Sequence, residues 1–282
     1  MYKLVFLFSM LFCSTSFAQP IKVGHMGIVG HDIALRKLSQ GSSDISVVSV
    51  PGGKGVVSYE ALERGRIDFL LVSSGAAFAN PILHSDVIKF DPLDKFKVVS
   101  MVVSNEPAFL LPQKYTSIDD LASKKCVPGQ VVFVANIAGT EPILVKEALK
   151  SYPCTFEVVW YVNPETPFID AVAGRVDIHT PALVAAARYQ NTATVIPFST
   201  SKNKLLREFT YDTFMITRKD IPEEMINQLM NVFNANATSD EVIAWQKSTR
   251  AVLKLKVGTE AVNEVIRQKN VYKNLLQRYS TN

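Results

Sequence analysis

The chain has 282 residues, 48% hydrophobic and 20% charged, the proportions of an ordinary globular protein. Lys and Arg number 30 against 26 Asp and Glu, a formal charge of +4. The basic residues are scattered beside acids, as Lys124 and Lys125 follow Asp119 and Asp120, and no basic stripe interleaved with aromatics appears, which excludes nucleic acid as a partner.

The first eighteen residues read as a leader. Lys3 supplies a positive segment, Leu4 to Phe12 is apolar apart from Ser9, and Ser16-Phe17-Ala18 puts small residues at the two positions a signal peptidase reads. A secretory signal cut after Ala18 is expected; a buried N-terminal strand is the alternative. The apolar run is shorter than the roughly 20 residues a bilayer span needs, and nothing later in the sequence is apolar for that length. Cys13 follows the bulky Phe12 inside the run, so no lipid anchor is read there.

Past the leader, short β-branched runs alternate with helical stretches. Ile21–Val23 reads as a strand, Asp32–Ser39 as a helix, and Ile45–Val50 as a strand ending at Pro51-Gly52-Gly53. Val57–Arg64 reads as a helix closed by Gly65, and Ile67–Val72 as a strand. This βαβαβ rhythm implies a parallel sheet covered by helices. A similar set follows. Ser117 caps a helix with Asp119 and Asp120 in its first turn, where the helix dipole favours them. Val131–Val134 is a strand, and Thr140 caps a helix that opens with Glu141 and Pro142. Phe156–Trp160 is a strand, Pro167 opens a helix closed by Gly174, and Val176–Ile178 and Val195–Pro197 are strands. The chain then gives a strand at Phe214–Thr217 and amphipathic helices from Pro222 to about Ala235, from Ser239, over Glu260–Arg267 and over Val271–Tyr279. Cys126 and Cys154 each precede a strand of the second set. In an oxidising compartment they pair or stay as two buried thiols, and the sequence leaves both open. Neither has a second cysteine at zinc-ligand spacing.

The two sets echo each other. Gly65-Arg66-Ile67-Asp68 reads like Gly174-Arg175-Val176-Asp177: a helix ends at glycine, arginine follows, and a strand carries an aspartate. Two lobes of like construction would produce this.

Motifs for catalysis are missing from the sequence: no Gly-x-Ser-x-Gly elbow, no phosphate loop and no His-Glu-x-x-His. No catalytic residue, metal or cofactor is expected. His25, His31 and His179 fall at strand ends and His84 in a loop; with Asp32 they would make a metal site only if the fold gathered them, and their spacing carries no metal signature. The richer signal lies where ligands bind parallel sheets, at the carboxyl ends of strands. The candidate binding residues there are His25, Met26, Gly27, Ile28, Gly30 and Asp32; Ser73, Ser74, Gly75 and Ala76; Asn136, Gly139 and Thr140; and Tyr161, Asp177 and Thr180. Glycines let backbone approach a ligand, and helix starts offer free N–H groups that suit a carboxylate.

These residues resemble a known family, the substrate-binding (Bug) receptors of tripartite tricarboxylate transporters. Phe90 to Val102 (FDPLDKFKVVSMV) looks like the family's YDPLKDFxPVSLV segment. Pro51 to Gly55 resembles its RPGAGG turn, Ser73-Ser74-Gly75 with Asn80-Pro81 its second ligand loop, Gly174 to Asp177 its GQVD turn, and Thr217 to Leu229 the start of its C-terminal helices. The resemblance implies an α/β fold of two Rossmann-like lobes with a hinge of two crossing strands, the type II periplasmic binding architecture. On it, residues 19–110 with 214–282 form lobe 1, residues 111–213 form lobe 2, and the crossings lie near Phe109–Pro112 and Tyr211–Thr217. It also implies a periplasmic monomer that binds a small organic acid or amino acid and hands it to membrane permease subunits. A ligand-presenting sensor, or a metal-dependent enzyme using the histidines, are the competing expectations. The first loop, His25 to Asp32, has fewer small residues than the family's PPGGxxD, and Asn136 to Glu141 lacks the family's serine pair and adds an acid. Met26, Ile28, Val29 and Ile137 point to a more apolar pocket than a tricarboxylate suits.

Overall fold

Alternating β-branched runs and capped amphipathic stretches fold into two sheets with helices packed on them. A computed structural model describes residues 19–52, 55–137, 140–249 and 251–279. The leader over 1–18, Gly53 of the turn and the candidate binding residue Gly139 lie outside the described residues.

The first stretch runs β1 (Ile21–His25), α1 (Val29–Leu38), β2 (Ile45–Ser49), α2 (Val56–Glu63), β3 (Phe69–Ser73), the short helices α3 (Asn80–Leu83) and α4 (Pro92–Lys95), and β4 (Lys97–Asn105). The middle stretch holds β5 (Ala108–Pro112), α5 (Ile118–Lys125), β6 (Val132–Asn136), α6 (Glu141–Ala148), β7 (Phe156–Trp160), α7 (Thr166–Val172), α8 (Leu183–Ala186), β8 (Ala193–Pro197) and α9 (Lys204–Glu208). The last stretch is β9 (Tyr211–Thr217), α10 (Glu223–Ala237), α11 (Asp240–Thr249), β10 (Val252–Val257) and α12 (Gly258–Tyr279).

One sheet has six strands in the order β10-β4-β9-β3-β1-β2. β1 pairs parallel with β2 and β3, whereas β9 runs antiparallel between β3 and β4. In the middle stretch β5 pairs with β8 and β6 with β7. Single bridges from Ile178 to Val134 and from His179 to Leu110 stitch these pairs into one row. Sheet membership therefore changes between Asn105 and Ala108, and again between Glu208 and Tyr211, a few residues before the limits the sequence draws at 110 and 213.

The Gly-Arg-x-Asp echo is a repeated structural device. Gly65 and Gly174 both take positive φ, 66° and 73°, and so turn the chain out of their helices. Gly65 N–H donates to Leu62 O and Gly174 N–H to Ala171 O; Arg66 N–H donates to Ala61 O and Arg175 N–H to Asp170 O. Each aspartate then grips the second residue of a strand in its own half, Lys22 of β1 or Phe133 of β6. Asp68 N–H donates to Lys22 O at 2.8 Å while its Oδ2 accepts from Lys22 N–H at 2.8 Å. Asp177 N–H donates to Phe133 O at 2.9 Å while its Oδ2 accepts from Phe133 N–H at 3.0 Å. Asp177 is the more deeply set. Tyr115 Oη donates to it at 2.9 Å and Lys125 Nζ lies 3.2 Å away.

Cys126, at the end of α5, and Cys154, before β7, are joined in a disulfide across a separation of 28 residues. Ser117 Oγ accepts from Asp120 N–H at the start of α5, as its sequence suggests. Thr140 makes no such side-chain cap for α6. The last two expected helices are one helix, α12, since Gln268, Lys269 and Asn270 offer neither proline nor glycine to stop it. β4 and β10 escape the sequence reading. β10 is an edge strand in which Leu253, Leu255 and Val257 alternate with Lys254 and Lys256, and its lysines and the register break between Leu253 and Lys256 blunt edge pairing.

Two stability outcomes follow from these ties. Asp177→Ala strips partners from Phe133 N–H, Tyr115 and Lys125 together, so it should cost about 3 kcal/mol in urea unfolding. Asp68→Ala, nearer solvent, should cost about 1 kcal/mol. A loss of ligand affinity by the Asp177 variant without loss of stability would contradict its structural role. Replacing Cys126 and Cys154 together by alanine should cost roughly 3–4 kcal/mol, the closure entropy of a loop this long, again read by urea unfolding.

Candidate functional site

The strand ends gather polar side chains and bury them. β1 ends at His25, β3 at Ser73, β6 at Asn136, and the bridging segment at His179 and Thr180. His25, Ser74, Asn136, Thr140, Glu141, His179 and Thr180 are all buried. Burial of this many polar groups at one edge of two sheets is costly without a purpose.

Contacts between the halves show how these ends meet. Tyr211 Oη, on β9 of the six-stranded sheet, donates to Thr180 O of the other half at 2.8 Å. Within the first half, Tyr272, on α12, shares a 2.9 Å hydrogen bond with Ser74. α6 packs against α12, and Glu141, in the first turn of α6, acts electrostatically on both Tyr211 and Tyr272. Burial pushes both phenols well above their ordinary range, and the nearby carboxylate adds to the effect. The site is thus built from β3, β9 and α12 on one side and from Thr180 and the start of α6 on the other.

The β3 loop earns its place by geometry. Ser73, Ser74 and Gly75 lead into a buried π-helical turn, Gly75–Ala79, a wide turn that recurs at functional sites. Ser73 Oγ accepts from Ala76 N–H at 3.3 Å, and Tyr59 Oη donates to Ala76 O at 3.3 Å. The turn is therefore rigidly held. In the His25–Asp32 loop, Gly27 has φ +76° and an added Cβ would lie 2.8 Å from Pro51 Cβ, so that position needs glycine. Gly30 faces open space, Ile28 is exposed, and Met26 packs partly against the core beside Tyr59.

Asp32 is engaged on the surface side of its helix. Arg36 Nε donates to both its oxygens at 2.9 Å and holds its carboxyl below the usual range. His25 Nε2 lies 3.2 Å from Asp32 Oδ1. Burial lowers His25, with Asp32 pulling the other way. Among the described residues no group of three or more His, Cys, Asp or Glu is placed to hold a metal ion.

Two sequence candidates are not brought to the site. Asp177 sits at the opposite end of its segment, closing the turn described above. Tyr161 Oη donates to Asp170 Oδ2 at 2.7 Å, and Arg175 holds the same carboxylate, so this phenol is committed within its own half. The aspartate had looked like a ligand contact because the signal in the sequence was the echo, and an echo of fold looks the same as an echo of function. Conversely, Tyr211 and Tyr272 carry no local signal; only tertiary packing brings a residue of the last helix to the β3 loop. The site also differs from the surface grooves: one of about 460 Å³ lies between α9 and α12, lined by Leu205, Glu208, Val271, Asn274, Gln277 and Arg278, with none of the strand-end candidates in its lining.

Several buried atoms have no hydrogen-bond partner among the described residues: His25 Nδ1, His31 Nδ1, both ring nitrogens of His179, and Thr180 Oγ1. Such atoms are exceptional in native proteins and call for an explanation. His25, His179 and Thr180 lie at the strand ends of the two halves, where a polar ligand would meet them, and His31 lies in the first turn of α1.

Burial also sets the charge of these rings. It takes His179 down to about 3, and does the same to His31 with the neighbouring His25 adding to the shift. In the unfolded chain a histidine takes up its proton near pH 6.5. Between pH 6.5 and 3 the unfolded state therefore binds more protons than the native one, and stability falls as pH falls, by about 1.4 kcal/mol per pH unit for each fully shifted histidine. Urea unfolding at pH 7, 6 and 5 should show a flat region above 6.5 and a steep loss below it, and His179→Leu should remove about half of the slope between pH 6 and 5.

No protein-family model matches the chain, and no curated protein sequence does. Solved structures match along nearly its whole length. The adipate-bound Rpa4515 of R. palustris superposes with a TM-score of 0.78 at 13% identity, covering 93% of this chain and 97% of that one. The malate-bound MatC protein (Rpa3494) of Rhodopseudomonas palustris gives 0.73 at 13% identity, over 92% and 99%. The periplasmic binding protein BugD gives 0.73 at 14% identity, over 93% and 97%. The chain has the fold of the Bug-type periplasmic solute-binding proteins.

Proposed function

We propose that this protein is a periplasmic receptor of a tripartite tricarboxylate-type transporter, which captures a small organic acid between its lobes, leaves it chemically unchanged and delivers it to a membrane permease. The observation that carries this reading is the set of buried, unpartnered polar atoms at the strand ends of both halves, met by Tyr211 across the boundary. A receptor needs such atoms: groups rigidly held in the free protein lose little entropy on meeting a ligand. The fold supports the reading, and the malate and adipate carried by two of the similar structures supply the ligand class. Export follows from the leader over residues 1–18. The neutral, buried imidazoles fit hydrogen bonding to a solute better than proton transfer near pH 7, since rings titrating near 3 give up or take no proton there.

Thr180 offers a clean test. Its hydroxyl has no partner among the described residues, so Thr180→Val removes a hydrogen-bonding group at little cost to the free protein. In a thermal-shift screen of organic acids against residues 19–282, at least one acid should raise the melting temperature. Calorimetry with that acid should then show the valine variant weakened about tenfold, its own melting temperature unchanged. A screen without a stabilising acid would sink the receptor reading, and full affinity in the variant would remove Thr180 from the site.

A further inference from the structure

The strands of the middle stretch end in an open edge. Among the described residues β7 pairs with β6 alone, in parallel. Val132 N–H donates to Thr155 O and Tyr161 N–H to Asn136 O, both at 2.9 Å. Val132 is in register with Phe156 and Asn136 with Trp160. Thr155, Glu157, Val159 and Tyr161 therefore turn their backbone groups to β6, and Phe156, Val158 and Trp160 turn theirs outward. Such a row is a template for another strand, and proteins usually guard it. β10 is guarded by Lys254, Lys256 and a register break, and β8 ends at Pro197. β7 carries Glu157 as its only charge. Its end is apolar and open: Trp160 is 61% exposed, and Val162 and Ile169, which follow it, are exposed as well.

We infer that β7 pairs antiparallel with β7 of a second copy of this chain, so that the protein forms a two-fold dimer, in place of the monomer that the family resemblance implies. The strand is complementary to itself. With the axis at Val158, that residue faces Val158 of the second copy, and Phe156 faces Trp160 of the second copy. The outward-turned residues then all fall in pairs that exchange both backbone hydrogen bonds, and no outward donor or acceptor of the strand is left over. Phe156, Val158 and Trp160 also share one face of the strand, so aromatic pairs flank an aliphatic centre. Glu157 faces Val159 of the second copy. The nearest like charge is Glu157 of the second copy, on the diagonal at about 7–8 Å, where solvent and salt screen an exposed pair. Covering Trp160, Val162 and the half-buried Phe156 and Val158 would remove roughly 500 Å² from each copy, about 1,000 Å² in all, the threshold of a specific interface. That area suits a weak dimer with a Kd on the order of 10 μM. The contact uses the middle stretch alone and adjoins the end of β6, since Trp160 lies in register with Asn136.

Sedimentation velocity of the mature chain without added solute tests this. From about 1 to 300 μM the wild-type chain should pass from monomer to dimer. Trp160→Lys, a change at an exposed position, should weaken association at least about tenfold. Val158→Lys sets two lysines opposite each other on the axis and should abolish the dimer over this range. Ile82→Lys, at a residue of α3 in the other half that is 49% exposed, should leave association unchanged. A wild-type chain that stays monomeric throughout overturns the inference and leaves the edge to a different strand or to solvent. A dimer that keeps its affinity in both β7 variants, or that is lost equally in Ile82→Lys, overturns the assignment to β7. Should Val158→Lys lose its cooperative melting transition, Trp160→Lys decides. The inference stands apart from the receptor reading, which these outcomes leave untouched.

Discussion

The grip of an aspartate on the neighbouring strand organises this molecule. In each half the chain leaves a helix through a left-handed glycine and immediately locks an aspartate onto both backbone groups of the second residue of the strand that opens its βαβ unit, β1 or β6. A carboxylate receiving a backbone N–H is a strong, directional tie. It fixes the third strand of each unit beside the first and in parallel, and so brings the carboxyl ends of those strands level. His25 pairs with Leu71, two residues before Ser73, and Val134 bridges Ile178, one residue before His179. The two clusters of polar strand ends follow from two copies of one turn, and the turn lies at the end of the strands away from them.

What the residues can tell about themselves depends on how local their signal is. The two βαβ units, their glycine stops and the Ser117 cap were legible because propensity, capping and periodicity act within a few residues. Phe156–Trp160 has the bounds its sequence suggests. β10 carries a local signal of the same kind, the alternation Leu253-Lys254-Leu255-Lys256-Val257, on an edge strand with a register break. Half of the site was likewise visible: glycine and serine loops after strands mark themselves. Tyr211 and Tyr272 do not, since their role is created by β9 returning to the first sheet and by α12 lying across α6. Asp177 shows the opposite error. Its repeated motif signalled repeated architecture, and the carboxylate is fully used by Phe133, Tyr115 and Lys125.

Electrostatics give the site its character. The histidines are kept neutral by burial, so they contribute hydrogen bonds without fixed charge.

The same pair of helices also ties the two halves together. Glu147, near the far end of α6, is almost fully buried and receives Asn203 and Lys150 at 2.8 Å and Tyr279 at 2.5 Å. Burial pushes its carboxyl upward, yet the hydrogen bonds from Asn203, Lys150 and Tyr279 together outweigh burial and hold it below the usual range. This knot joins α6, the start of α9 and the end of α12, segments from both sides of the boundary. Breaking it would strand a buried charge at a cost of about 3–5 kcal/mol, several times what the single Tyr211–Thr180 hydrogen bond contributes, so it is the stronger of these two ties between the halves.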